Sequence, residues 1–400
     1  MGDSSTGLRA LPSPEDIRQL LRAKVVAAVQ EVLEEEIALL LGSQRYERTE
    51  ARNGYRHGRE SRRVTTENGP MELKVPRARV RQPGGSTAEF RSSVLPRYQR
   101  RTKRVDEAIL GAYLAGANTR RIRKALEPLL GESNLSKSSI SRVVQRIKTS
   151  FETWSSRDLA EELYGVLYLD GIHLKVRMAR RVVSVPVLVA LGVKEDGTKE
   201  LLSLRLVGVE STATWEALIE GLSKRGLPGP IVVVSDGHAG LKRAVALWPE
   251  AKVQRCAVHK LRNLEDHCPP HARAELRRDY NAIIYAKDGL AARDAREKFL
   301  RKWRPLCAEV ARSLEEAGEH LLTFFEFPKA MWKSLRSTNP IENLNREFRR
   351  RTKTQGSFST EDSALTLLWG LVAFGQIRMR KIDGHRHVSA LLAAMKTKAA

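Results

Sequence analysis

The stretch Val166-Leu167-Tyr168-Leu169-Asp170-Gly171-Ile172-His173 decides the predicted fold of this chain. Its apolar residues up to Leu169 predict a short buried strand, which ends at an aspartate and a glycine. A second stretch, Ile231-Val232-Val233-Val234-Ser235-Asp236-Gly237, has the same form. An unpaired carboxylate at the end of a buried strand costs free energy, so packing does not explain two of them. We therefore expect Asp170 and Asp236 to bind metal.

The composition points to a polyanionic partner. The 400 residues include 70 Lys or Arg and 47 Asp or Glu, which gives a net charge of +23. Such a surplus favours nucleic acid, although a merely solvated basic surface is the alternative. The length allows two or three domains. Three cysteines argue against a disulfide framework. No signal peptide or membrane-spanning stretch is predicted, so we expect a soluble cytoplasmic protein without membrane contact.

The N-terminal region contains a helix and then a basic module. The helix is predicted from Pro14 to about Leu41, with Gly42 ending it, and its apolar stripe could pack within the chain or against a second chain. Residues 45–104 hold 17 Lys or Arg against 6 Asp or Glu. Asn53-Gly54-Tyr55-Arg56 predicts a turn, and Asn68-Gly69 predicts a β-hairpin. The module suits contact with a DNA backbone.

Three short helices are predicted to follow in residues 105–155. The second is expected from Arg120 to about Glu127, with Thr119 as its cap and Pro128 disfavouring continuation. The third is expected over Lys137–Phe151, capped by Ser136. Short helices with tight turns, the last one basic, resemble a helix-turn-helix. A generic helical bundle would have the same pattern.

The middle of the chain predicts a mixed α/β sheet. Strands are expected at 163–169, 182–193, 201–207, 231–235 and 252–256, and helices at 211–222 and 239–247. Three antiparallel strands followed by βαβ units form such a sheet. Helical periodicity then predicts helices at 272–285, 290–303 and 305–317.

Glu342 is the best third acidic residue for a metal site. It lies in Thr338-Asn339-Pro340-Ile341-Glu342-Asn343, where Pro340 suits the first turn of a helix and Thr338 or Asn339 its cap. Basic residues follow on the same predicted helix. Mg²⁺ prefers oxygen ligands and is held by a few carboxylates together with phosphate. The alternative is an ordinary first-turn glutamate favoured by the helix dipole.

The chain resembles the Mutator-like family of bacterial insertion-sequence transposases. The matching segments occur in the family's order along nearly the whole chain: Asn53–Arg56, Val75–Arg77, Leu169–Gly171, Lys175–Arg177, Glu210-Ser211 with Trp215, Ser235–Gly237, Gln254–His259 with Arg262-Asn263, and Ser337–Asn343. The resemblance implies a ribonuclease H-like core with a catalytic, metal-binding triad of Asp170, Asp236 and Glu342. It also implies N-terminal domains that recognise terminal inverted repeats, and a homodimer on DNA.

The resemblance also organises the domains. We expect an N-terminal helix in 1–44 that could mediate dimerisation, the basic module in 45–104, and a helix-turn-helix-like domain in 105–155. The catalytic core is expected in 156–264 and 336–385, with a tail in 386–400. Asp236 and Glu342 are 106 positions apart, more than one strand and helix require. The helices of 265–335 are therefore expected to be an all-α insertion in the core.

Cys256 and His259 are expected in the vicinity of the active site. Their Cys-x-x-His spacing suggests zinc, with His267, Cys268 and His271 nearby, but a closed zinc site needs four suitably spaced ligands. The resemblance includes a Cys-x-x-His here, which suggests a structural or DNA-positioning role. We treat zinc as the less favoured interpretation.

The expected function is metal-dependent cleavage of DNA ends and strand transfer to target DNA, with two Mg²⁺ or Mn²⁺ ions per active site. The alternatives are a non-catalytic DNA-binding regulator derived from a transposase, and a nuclease that hydrolyses without joining. The residues predicted to contact double-stranded DNA are Arg52, Tyr55, Arg56, Arg77, Arg79, Arg120, Arg121, Ser139, Arg142, Arg146, Lys175, Arg177, Arg346, Arg349, Arg350 and Lys353.

Overall fold

The computed structural model describes residues 13–50, 52–83, 85–130, 135–178, 181–237, 246–353, 358 and 360–399. The chain divides into two compact units, residues 1–144 and 145–400. Each unit contains its own β-sheet, so the chain is a mixed α/β protein with two sheets. No helix among the described residues combines the length and the apolar character needed to cross a membrane.

The first unit begins with helix α1, Pro14–Leu41. Ser13 and Asp16 form a capping box, in which the Ser13 hydroxyl accepts from the Asp16 N–H at 3.2 Å and the Asp16 carboxylate accepts from the Ser13 N–H. Gly42 ends the helix with φ 63°. Both predicted ends are confirmed. The buried face of α1 packs with the sheet through Leu33 and Ile37.

The sheet of the first unit has three antiparallel strands: β1 (Gly54–Thr66), β2 (Gly69–Arg81) and β3 (Thr87–Glu89). The predicted hairpin at Asn68-Gly69 is confirmed, because Thr66 pairs with Gly69. The predicted turn at Asn53–Arg56 is wrong. Gly54 to Arg56 already belong to β1, opposite Val80 to Ala78, and the glycine serves the start of a strand instead of a turn.

Three helices follow: α2 (Lys103–Leu114), α3 (Thr119–Leu130) and α4 (Lys137–Ser155). The prediction that α3 ends before Pro128 is wrong. Pro128 lies inside the helix, in its last turn. Asn118 caps α3, since its Oδ1 accepts from the Arg121 N–H at 3.0 Å, whereas Thr119 was expected to do so. The predicted cap Ser136 is confirmed by the 3.1 Å bond from the Ser139 N–H.

The second unit is organised around a five-stranded sheet. Its strand order is β6-β5-β4-β7-β8, with antiparallel pairing among β4, β5 and β6 and parallel pairing of β4 with β7 and of β7 with β8. The strands are β4 (Tyr164–Met178), β5 (Arg181–Lys194), β6 (Lys199–Leu206), β7 (Val232–Ser235) and β8 (Lys252–Arg255). The predicted mixed sheet is confirmed.

Strand β4 is longer than predicted. It was expected to end at Leu169, yet it continues through Asp170 to Met178. Beyond Asp170, the residues Ile172, Leu174 and Val176 are buried and alternate with exposed ones. This alternation is the period of a strand with one buried face, and it extends the antiparallel pairing with β5. Asp170 therefore lies inside β4 instead of at its end.

Helices surround this sheet. Ser211 caps the predicted helix α5, and most of the helix predicted at 239–247 lies outside the described residues. The helices predicted in 265–335 are confirmed, although Pro305 belongs to the last turn of α8 and does not begin the next helix. The bounds are α5 Thr212–Lys224, α6 Ala257–His267, α7 Arg273–Ile284, α8 Gly289–Leu306, α9 Ala308–Ala317, α10 Trp332–Leu335, α11 Asn339–Thr352, α12 Glu361–Ala373 and α13 Val388–Ala399.

The edge strand β8 is covered by residues 318–326. Gln254, which is fully buried, donates to the Leu321 carbonyl at 3.0 Å and accepts from the Phe324 N–H at 2.7 Å. Thr323 donates its hydroxyl to the Val253 carbonyl at 2.7 Å. These bonds satisfy polar groups that an open edge would leave available for pairing with another chain.

The backbone at Gly54 generates a testable prediction. Its φ is +131°, and an added Cβ would lie 2.1 Å from the Arg79 carbonyl oxygen. We expect Gly54→Ala to destabilise the first unit by at least about 2 kcal/mol, because a clash adds to the backbone strain. Hydrogen exchange of the β1 and β2 amides measures the loss. Gly58→Ala is the control, with φ +112° but nothing within 4 Å of its Cβ. Equal loss of protection in both variants would contradict the clash.

Candidate active site

The register of the sheet places the two predicted aspartates side by side. Val166 to Tyr168 of β4 pair in parallel with Val232 to Val234 of β7. Asp170 lies two residues beyond Tyr168, and Asp236 lies two residues beyond Val234. Equal offsets along neighbouring parallel strands bring the two residues to the same level of the sheet. The negative charge of Asp236 also contributes to raising the pKa of Asp170.

Glu342 reaches the same region from helix α11. It lies in the first turn, where its N–H donates to the Thr338 carbonyl at 2.9 Å. The predicted helix start is confirmed, although the Thr338 side chain makes no cap bond to the backbone and donates instead to Glu342 Oε1 at 3.3 Å. Asp170 and Glu342 line one cavity of about 270 Å³, together with Gly171, His259, Arg262, Asn343, Arg346 and Arg349. Three arginines thus share a cavity with two acidic residues.

Asp170 is buried, with 7% of its surface exposed. Burial is the main cause that raises its pKa to about 6, and the Asp236 charge adds to it. The charge of His259, a hydrogen bond from Asn345 and the N–H of Gly171 act in the opposite direction. The carboxylate is therefore destabilised in its ionised form, and a cation at this place would relieve the destabilisation.

Asn345 is a site residue that the sequence analysis missed. Its Nδ2 donates to Asp170 Oδ2 at 2.7 Å, and the residue is fully buried. Its Oδ1 is buried and has no hydrogen-bond partner within the described chain. Asn345 follows Glu342 by three positions, so both side chains lie on one face of α11. The three-residue spacing from Glu342, together with a polar residue on the buried face of the helix, could have identified Asn345 from the sequence.

Cys256 joins the elements that hold the site. Its N–H donates to the Ser235 carbonyl at 2.7 Å, next to Asp236. Its Sγ accepts from the His259 N–H at 3.5 Å and so caps α6. The same Sγ accepts from the Thr338 N–H at 3.3 Å and hydroxyl at 3.4 Å. Burial acts to raise the pKa of the Cys256 thiol, but these hydrogen bonds and the nearby His259 lower it overall.

His259 contacts the third acidic residue. Its Nε2 lies 3.7 Å from Glu342 Oε1, and its Nδ1 lies 3.4 Å from the Thr338 hydroxyl. The hydrogen bond to Cys256 is the main cause that raises the pKa of His259 to about 9, and the charges of Asp170 and Asp236 add to it against the effect of burial. These interactions favour the protonated imidazole of His259 beside Glu342.

A zinc site would need more ligands than this cluster offers. Ligand atoms of Cys256, His259 and Glu342 lie within 4.8 Å of one another. Within the described parts of the chain, no fourth histidine, cysteine or acidic residue joins them, and His267, Cys268 and His271 lie outside the group. A closed zinc site requires four ligands.

The residues predicted to contact DNA fall into several groups. Arg346 and Arg349 line the cavity of Asp170 and Glu342. Others are paired with acidic side chains: Arg56 with Glu34, Arg77 with Glu89, and Arg350 with Glu347. Exposed positions are occupied by Tyr55, Arg79, Arg120, Arg121, Arg142, Arg146, Lys175, Arg177 and Lys353, and partly exposed ones by Arg52 and Ser139. Contact of these residues with DNA stays a prediction.

Comparison with protein families identifies the chain's relatives. The family model described as "Transposase, Mutator family" matches residues 4–375. The chain belongs to this family. The resemblance recognised in the sequence segments is thereby confirmed, and the acidic cavity lies within the matched region.

Individual relatives align with nearly the same part of this chain as the family model does. The transposase for insertion sequence element ISRM5 of Rhizobium meliloti is 36% identical over 90% of this chain and 88% of its own. The transposase for IS256 in transposon Tn4001 of Staphylococcus aureus is 33% identical over 84% of this chain and 85% of its own. A solved pre-cleavage Mos1 transpososome aligns at 9% identity with a TM-score of 0.16 over 58% of this chain and 96% of that one, too low a score to relate the folds.

The raised pKa of Asp170 predicts a pH dependence of stability without metal. The pKa of Asp170 is about 6 in the folded protein and 3.8 in the unfolded chain. The free energy of unfolding is therefore highest below about pH 4, and it falls by about 3 kcal/mol at most as the pH rises through 6. Asp170→Asn removes this fall. In urea unfolding with chelator, the variant should gain stability over the wild type between pH 4 and 6. Parallel pH profiles would contradict the assigned pKa.

The hydrogen bonds of Cys256 predict a second effect on stability. Cys256→Ala leaves the buried N–H of Thr338 without its acceptor and removes one of the two acceptors that the Thr338 hydroxyl has in Cys256 and Glu342. We expect a loss of about 1–3 kcal/mol in the free energy of unfolding. Cys256→Ser, which keeps an acceptor at this position, is the control and should recover most of the loss. If serine and alanine destabilise equally, the sulfur acts through packing alone.

Proposed function

We propose that this protein is a transposase that cleaves DNA at the ends of an insertion sequence and transfers the strand to target DNA. Asp170, Asp236 and Glu342 are its proposed catalytic and metal-binding residues. The observation that carries the proposal is the convergence of Asp170 and Glu342 on one cavity, with Asp236 in register beside Asp170. The names of the relatives, all transposases for insertion sequence elements, support it.

The proposal includes a ribonuclease H-like core. Three antiparallel strands followed by two parallel strands on the other side of β4 are what such a core requires. Asp170 lies within β4, and Asp236 directly follows β7. We propose the core in 156–264 and 336–385, with 265–335 inserted between Asp236 and Glu342. Residues 45–104 and 105–155 are proposed to recognise the terminal inverted repeats, and 1–44 to mediate a homodimer on DNA.

The donor set fits divalent metal. Three carboxylates supply the hard oxygen ligands that Mg²⁺ and Mn²⁺ prefer, and Asn345 Oδ1 is a buried oxygen without a partner among the described residues. Asp170, Asp236 and Glu342 would hold two ions. Bound there, the ions would supply activation of a water or 3′-hydroxyl and stabilisation of the leaving oxygen.

The chain's own residues have distinct roles in this proposal. Asn345 orients the Asp170 carboxylate through its 2.7 Å bond. Thr338 and His259 hold Glu342, at 3.3 Å and 3.7 Å. Arg262, Arg346 and Arg349 line the cavity and are placed to bind the phosphate groups of the DNA strand. The proposed place of action is the bacterial cytoplasm, with association to the nucleoid through DNA.

A comparison of acidic variants tests the proposal. Glu342→Gln should lower Mg²⁺-dependent nicking and joining of oligonucleotides that carry the element's ends by at least about a hundredfold, while DNA binding persists. Glu347→Gln is the control, since Glu347 lies on the same helix and pairs with Arg350. Chelation of the metal should abolish activity in every active variant. Retained activity in Glu342→Gln would remove it from the triad, and hydrolysis without joining would indicate a nuclease.

A further inference from the structure

Two β-turns of the first unit share an unusual construction. In Gln44–Glu47 the Glu47 N–H donates to the Gln44 carbonyl, and in Pro96–Gln99 the Gln99 N–H donates to the Pro96 carbonyl. Each has Arg at its second position and Tyr at its third. Both tyrosines, Tyr46 and Tyr98, have φ 68°, and no other non-glycine residue in the described ranges has positive φ.

Positive φ at the third position of a β-turn is normally supplied by glycine or asparagine. A bulky residue there is disfavoured, and persists only where the surroundings enforce it or where a function requires it. Neither ring is used for packing, because Tyr46 is 89% and Tyr98 is 80% exposed. Each ring instead lies against the guanidinium of the preceding arginine. The distance from Cζ to the ring centroid is 4.9 Å for Arg45 and 5.2 Å for Arg97.

The turn at Tyr98 is held rigidly by Arg62. The Arg62 guanidinium donates to the carbonyls of Leu95, Pro96 and Gln99 at 3.3, 3.0 and 3.1 Å. The next residues are joined to β1, where the Thr65 N–H donates to the Arg100 carbonyl at 2.9 Å. The backbone conformation at Tyr98 is thus set in advance, which lowers the entropy lost on binding.

The surroundings of the two turns differ in charge. Tyr98 lines a groove of about 600 Å³ together with Arg63, Arg97, Arg100 and Ser139, and Glu60 contributes one carboxylate. Within the described ranges Arg63, Arg97 and Arg100 make no salt bridge. The turn at Tyr46 instead borders a cavity lined by Glu35, Leu39 and Glu47.

We propose that the groove around Tyr98, defined by Arg63, Arg97, Tyr98, Arg100 and Ser139, is a binding site for the backbone of duplex DNA. The arginines and the Ser139 hydroxyl contact phosphates, and the Tyr98 ring packs against a sugar of the backbone. The turn at Tyr46 has the same geometry, but the charged residues that line its cavity are Glu35 and Glu47, so we do not expect this turn to contact phosphates. The inference rests on the proposed function only in taking DNA as the partner.

The test measures binding of the full chain to a duplex oligonucleotide of arbitrary sequence by fluorescence anisotropy, with chelator, at several salt concentrations. Arg97→Ala should reduce the slope of log affinity against log salt by about 0.9, the value for one lost phosphate contact. Arg45→Ala removes the same charge from the matched turn and should leave the slope unchanged. Equal slopes for the two variants would overturn the assignment of the groove, because general charge would then explain binding.

A second pair of variants addresses the tyrosine. Tyr98→Gly should weaken duplex binding by roughly fivefold or more, because it removes the apolar contact of the ring with a sugar. The same change should not lower the unfolding temperature, because glycine suits the positive φ. Tyr46→Gly is the control and should bind as the wild type does. Unchanged affinity in Tyr98→Gly would overturn the role of the ring, and so would preferential binding of single strands or acidic peptides.

The two proposals fail separately. If the wild type nicks and joins DNA in Mg²⁺ while the groove variants bind duplex normally, the assignment of the groove as a DNA-binding site is wrong and the proposed function stands. If the groove variants lose duplex binding while the wild type shows no metal-dependent cleavage, the catalytic proposal is wrong and the groove stands.

Discussion

The parallel pairing of β4 with β7 is the constraint on which the site depends. Three residue pairs set the register, and Asp170 and Asp236 each lie two positions beyond the last of these pairs. A shift by one residue would turn one aspartate to the other face of the sheet. The register is strongly specified, because the paired residues are almost completely buried. The packing energy of an apolar core thus determines the separation of two carboxylates that would otherwise repel each other.

The third acidic residue depends on a different kind of contact. Glu342 is 106 positions from Asp236, and no strand carries it. Polar bonds attach its helix and the preceding α10: Cys256 accepts from Thr338, and Asn345 donates to Asp170. The Tyr168 hydroxyl donates to the Ser334 carbonyl of α10. Buried polar contacts have strict requirements of distance and direction, so they define position more narrowly than apolar packing does. The intervening helices can therefore be long without loosening the site.

The sequence predicts those parts of the structure that depend on local chemistry. The ends of α1, the Asn68-Gly69 hairpin and the start of α11 depend on caps and turns, and each was found from adjacent residues. The errors arose where tertiary contacts overrule local preference. Strand β4 continues past Asp170 because β5 pairs with it, and Asn345 is part of the site only because α11 packs on β4. Periodicity along one segment contains no information about which segment lies opposite.

Backbone strain follows the same division between local and long-range causes. The two Arg-Tyr turns have no glycine where their conformation favours one, so local sequence preference opposes both. At Tyr98 the opposing preference is overcome by Arg62, which binds three carbonyls of the turn and its approach. Substituting glycine would satisfy the backbone at no cost in packing, since the ring is exposed. A large aromatic ring beside arginines that make no salt bridge to any described residue is therefore better explained by what the ring contacts outside the chain than by the stability of the fold.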